Sequence, residues 1–179
     1  MLAVWGGAWL IGFGVLCPAW PGGLRPWLSR SAAAVFVAVL FAAAIVFSTG
    51  RGLWRQRGLT GPSHRTSVLY VYSWVAGLAG QRAVNLRLAH DGLPAHLRPL
   101  LWSGSSPLVI GLLLLAGGLL WDDRVQGGLG VWTLIIGAAS VFAGVPGNFA
   151  VLAVAGGGGL LLASATCRRT RSQRDSLGR

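Results

Sequence analysis

The chain has 179 residues, 54% of them hydrophobic and 11% charged, a balance too apolar for an ordinary soluble domain. All 15 basic residues are Arg, set against 4 acidic ones, for a formal charge of +11. In a soluble protein that excess suggests nucleic acid. Here the arginines flank apolar stretches and no basic helix with interleaved aromatics stands apart from them, so the reading is no nucleic acid.

Residues 2–20 form the first predicted span, read as retained because it has no basic leading region; Trp5 and Trp20 are placed for the two interfacial belts and Pro21-Gly22-Gly23 closes it. Residues 31–49, rich in Ala and Val, form the second. Residues 50–66 carry Arg51, Arg55, Arg57 and Arg65 and read as a cationic loop. Residues 68–89 form the third span, in which an apolar run is followed by Gln81, Arg82, Asn85 and Arg87. Residues 100–121 and 127–145 are plainly apolar spans, and 149–166 is the sixth. Pro146-Gly147-Asn148 before it is a turn sequence that makes the last two spans an antiparallel hairpin. Residues 167–179 are a basic tail, expected to be disordered, whose arginines can meet anionic lipid headgroups.

The predicted fold class is therefore all-α: one integral membrane helical bundle at residues 1–166 with six transmembrane helices, in contact with the lipid bilayer. Arginine placement arbitrates the third span. With six spans and both termini cytoplasmic, ten arginines lie inside (Arg51, Arg55, Arg57, Arg65, Arg124 and those of the tail) and five outside (Arg25, Arg30, Arg82, Arg87 and Arg98). Without it the split is eight to seven, which is no bias. Cys17 and Cys167 then face opposite sides, too far apart for a disulfide, and both thiols are expected to be free.

At 100° per residue, Tyr70, Ser73, Gly77, Gln81 and Asn85 share one face of the third helix, with Arg82 beside it. Gln81, Arg82 and Asn85 are the candidate solute lining, against the plainer reading that the amides bond a neighbouring helix and that Arg82 snorkels to the headgroups. Gly130, Thr133, Gly137, Ser140 and Gly144 recur at spacings of three and four, a packing seam that lets another helix, or a second copy, approach closely. Gly156 to Gly159 is either close packing or an unwound segment that exposes carbonyls.

The spans contain no Asp or Glu, so a carboxylate-coupled pump has nothing to titrate. His90, Asp91 and His96 match no zinc spacing, and Asp122-Asp123 reads as a solvated turn before it reads as a Mg²⁺ site. No phosphate loop, zinc-protease helix or serine elbow is present. No catalytic residue, metal ligand or cofactor-binding residue is assigned, and the reading leans away from an enzyme.

Gly92-Leu93-Pro94, Leu100-Leu101-Trp102-Ser103-Gly104, Gly128-Leu129-Gly130-Val131-Trp132 and the run from Phe142 through Gly147 to Phe149 resemble small multi-pass membrane proteins of high-GC actinobacteria. The resemblance covers the C-terminal half, and it implies a helical bundle in a bacterial plasma membrane and no activity. Two functions follow as expectations. The first is an accessory subunit or membrane interaction partner, self-associating or bound to another membrane protein. The alternative is a facilitative carrier or pore for a small solute, an anion for instance, lined by the third helix.

Overall fold

The computed structural model describes residues 2–19, 29–56 and 62–177. Five long helices are α1 (Leu2–Ala19), α2 (Arg30–Gln56), α3 (Pro62–His90), α4 (Arg98–Leu120) and α5 (Arg124–Phe142). A sixth rod is built from α6 (Gly144–Val151), a π-helical turn (Leu152–Gly157) and α7 (Gly158–Leu177). Trp20, the Pro21-Gly22-Gly23 turn, Arg25, Arg57 and Arg179 lie outside the described residues.

Five segments are long and apolar enough to cross a membrane: Leu2–Ala19, Arg30–Ser48, Arg98–Leu120, Arg124–Phe142 and Gly144–Cys167. The chain is an all-α helical bundle of membrane type. α3 has the length at 29 residues, but its polar stripe and arginines leave it outside that set. Its exposed side nonetheless carries many apolar residues, Leu69, Val71, Val75, Val84, Leu86 and Leu88 among them, beside Ser73, Arg82 and Arg87.

Neighbouring helices run antiparallel, as their paired residues show. α1 meets α2 through Trp5 with Ser48 and Gly12 with Phe41. It meets the sixth rod through Gly6 with Leu161 and Phe13 with Phe149. α4 and α5 form a hairpin across Trp121–Asp123, in which the Asp123 carboxylate caps α5 by accepting from the Val125 and Gln126 N–H groups at 3.0 Å each. Among the described residues α2 packs on α1, and α3 packs chiefly on α4 with one side-chain bond from Gln126 of α5, so these two helices flank the bundle and do not touch each other. The core lies between them, where Trp9, Phe13, Leu129, Ile136, Phe149, Leu152 and Leu160 are buried together.

Glycine sets the closest approaches, and it does so twice in the same way. A Cβ on Gly157 would stand 2.7 Å from the Leu10 nitrogen and 2.9 Å from the Gly6 carbonyl oxygen, and one on Gly6 would stand 3.0 Å from the Gly157 oxygen. Gly111 and Gly130 repeat this across α4 and α5, each against the other's carbonyl and the backbone of Leu134 and Leu115. Backbone touches backbone at both crossings, the arrangement that small residues permit in membranes.

Four expectations are corrected here. The chain turns at Ala143–Val145, with Gly144 at φ +61° and Val145 extended before Pro146, so Pro146-Gly147-Asn148 lies inside α6 and the sixth rod starts at Gly144. Gly144 accordingly leaves the α5 seam. Helix also occupies much of the expected 50–66 loop, because α2 runs on to Gln56 and α3 starts at Pro62, where proline suits a first helical position. Finally, residues 167–177, expected to be disordered, continue α7 as helix.

Candidate functional site

The predicted stripe on α3 is where the polar side chains gather, and four of its five residues face α4. The Tyr70 hydroxyl donates to the Leu113 carbonyl at 2.7 Å and accepts from Gln126 Nε2 at 3.1 Å. Gly77 lets Val109 and Leu113 close in. Gln81 Nε2 donates to Ser105 Oγ at 2.8 Å and to Ser106 Oγ at 3.1 Å, while Asn85 Nδ2 donates to Ser105 Oγ at 3.0 Å. Ser73 is the exception: it is exposed and its hydroxyl bonds back to the Leu69 carbonyl at 2.9 Å.

Hydrogen-bond capacity decides what this seam can do. A serine hydroxyl has one donor and two acceptor positions. Ser105 Oγ accepts from both amides and donates to the Leu101 carbonyl at 2.6 Å, so all three are taken. Ser106 passes its proton to the Trp102 carbonyl at 2.8 Å. Asn85 is 1% exposed. The two amides thus tie α3 to α4, each bond contributing about 0.6 kcal/mol and up to about 1.7 in a membrane interior.

Arg82 turns the other way. It is exposed, and its guanidinium carbon lies 5.4 Å from the centroid of the Trp102 ring. The three residues proposed as a solute lining are therefore not brought together: Gln81 and Asn85 face α4 and Arg82 faces outward.

The α5 seam is likewise engaged within the chain. Gly130, Thr133, Gly137 and Ser140 are buried, Gly130 on the backbone of α4 and Gly137 on Pro107, where a Cβ would stand 2.7 Å from the proline Cβ. The surface the sequence offered for self-association is filled by α4. Gly144, with open space around it, belongs to the turn.

The glycine run of the sixth rod is not unwound. It stays helical through a π turn, and three of its four glycines admit a neighbour: Gly156 the Trp9 ring, Gly157 the α1 backbone and Gly159 the Trp132 ring, while Gly158 faces open space. The Trp132 Nε1–H donates to the Ala155 carbonyl at 2.9 Å, satisfying an acceptor inside the turn.

Two groups of residues were not singled out from the sequence. Asn148, fully buried in α6, donates from Nδ2 to Ser103 Oγ at 2.7 Å, and Ser103 donates in turn to the Pro99 carbonyl at 2.7 Å. Asn148 Oδ1 is buried with no hydrogen-bond partner. Ser103, Ser105 and Ser106 hold α4 between α3 and α6 on two faces; the Ser-Gly-Ser-Ser-Pro sequence was the available signal. At the end of α3, Arg98 clamps the loop by donating to the Leu93 and Ala89 carbonyls at 3.2 Å each.

The remaining chemical candidates stay apart. His90 lies 3.4 Å from Asp91, which also pairs with Arg87 at 2.8 Å, and His96 does not join them. Among the described residues no three His, Cys, Asp or Glu side chains cluster as metal ligands would. Cys17 and Cys167 are half-buried and not joined in a disulfide. Comparison of the chain with protein-family models, with curated proteins and with solved structures found no match.

Proposed function

We propose that this chain is a multi-pass membrane protein that works by association, as an accessory subunit or membrane interaction partner. The observation that carries the reading is the saturated hydroxyl of Ser105: the amides that would line a solute path are bonded to α4, and the neighbouring Arg82 points away from them. A carrier needs its polar groups aimed into a shared path, whereas here the amide nitrogens are bonded to the α4 hydroxyls.

The same reading takes α3 as a sixth span. Most of its large apolar residues face outward and its two amides are turned to α4, while Arg82 lies within reach of the helix end, the arrangement a helix needs when lipid surrounds it. Six alternating rods put both termini and the arginine-rich ends together, which the positive-inside rule assigns to the cytoplasmic face. The membrane proposed for the chain is a bacterial plasma membrane.

Purification from native membranes in gentle detergent, with mass spectrometry of the intact complex, tests the association. A stoichiometric membrane-protein partner is the expected result. A lone monomer that moves a solute into proteoliposomes would contradict it.

A further inference from the structure

Arg82 differs from the other arginines described near the C-terminal end of α3. Arg87 is paired with Asp91 at 2.8 Å, and Arg98 donates to two backbone carbonyls. Arg82 reaches no oxygen among the described residues, and its contact is the face of Trp102. Asp91 is already engaged by Arg87, and Asp122 and Asp123 lie at the far end of α4.

Position completes the argument. Arg82 lies eight residues before the end of α3, about 12 Å along the helix, and Trp102 four residues after the start of α4, about 6 Å. A long arginine side chain covers that difference, and its approach to the Trp102 ring shows that it does so, bringing the guanidinium to the depth of a tryptophan near a helix end. At that depth the abundant anion is the phosphate of a phospholipid. A guanidinium lying on an indole ring keeps its N–H donors free at the rim, where they match two phosphate oxygens.

We infer that Arg82 and Trp102 form a headgroup site for a phospholipid phosphate in the leaflet on the α3 C-terminal side. The inference rests on α3 crossing the membrane. Arg82 supplies paired donors and Trp102 holds the guanidinium in place. Phosphatidylglycerol suits the site, since its headgroup has no amine to compete for the phosphate.

The test uses the full chain purified in detergent and titrated with phosphatidylglycerol, with retained lipid counted by native mass spectrometry. Arg82→Ala is expected to weaken retention of one lipid about tenfold. Arg82→Lys, which keeps charge but not the paired donors, is expected to fall between it and the unaltered chain, and Arg87→Ala to match the unaltered chain. Single cysteines at residues 63 and 95, in a background without Cys17 and Cys167, are labelled in parallel in membranes. Labelling from opposite faces with equal retention by Arg82→Ala overturns the lipid site alone; labelling from one face overturns the crossing of α3 on which it rests. Glycerol phosphate displacing the lipid at equal concentration would make this a free-anion site, and loss of a protein subunit on Arg82→Ala would make the counter-ion a partner's carboxylate. Either result overturns the inference.

Discussion

The crossing of α1 with the sixth rod and that of α4 with α5 join helices by one means, and the α3–α4 seam by the opposite one. At Gly6 with Gly157 and at Gly111 with Gly130, nothing but backbone separates the two rods, and shape alone determines whether they fit. At Gln81 and Asn85 the side chains span the gap and their hydrogen bonds determine it. The difference teaches why the chain tolerates so polar a helix. At the two glycine crossings the rods are too close for polar side chains to fit between them, whereas α3 rests chiefly on α4 and uses directional bonds to fix its rotation.

The largest effect is expected where backbones touch. Gly157→Val should cost about 3 kcal/mol, since the atoms it meets belong to the α1 main chain and cannot swing aside. Unfolding in mixed micelles should show it, and a wild-type midpoint would mean the crossing is looser than described. The double change Gln81→Leu with Asn85→Leu should cost less, about 1 to 2 kcal/mol, and should free α3 while leaving α4–α5 intact. Limited proteolysis, with cleavage confined to the segment around α3, would check it. Trp132→Phe keeps an aromatic ring but loses the pyrrole portion and with it the Nε1 bond to Ala155, an expected loss of about 1 kcal/mol by the same unfolding assay.

Smallest, and opposite in sign, is Gly158→Ala. Gly158 is helical with open space around it, so alanine should stabilise by about 0.5 to 1 kcal/mol, one residue away from the most damaging change. Equal destabilisation by the two substitutions would contradict the packing of this run.

Much of this was legible in the chain. Helical periodicity placed Tyr70, Gly77, Gln81 and Asn85 on one face because all four meet α4, and the same arithmetic placed Gly130, Thr133, Gly137 and Ser140. Ser73 escaped because its hydroxyl can bond within its own helix. The glycine run could not be resolved from sequence, since what keeps it helical is the arrival of Trp9 and Trp132 from distant segments. Asn148 was hidden by its neighbours: Pro-Gly-Asn reads as a turn, and the turn actually closes at Gly144, where the backbone takes a positive φ.

The most direct test of the central claim, that the polar face of α3 is locked onto α4 and lines no aqueous path, is substituted-cysteine accessibility at residues 81 and 85. In a background without Cys17 and Cys167, a small charged methanethiosulfonate reagent should modify neither Gln81→Cys nor Asn85→Cys in intact membranes. Modification of both, at rates that fall when a solute is added, would contradict the account and return α3 to the wall of a conduit.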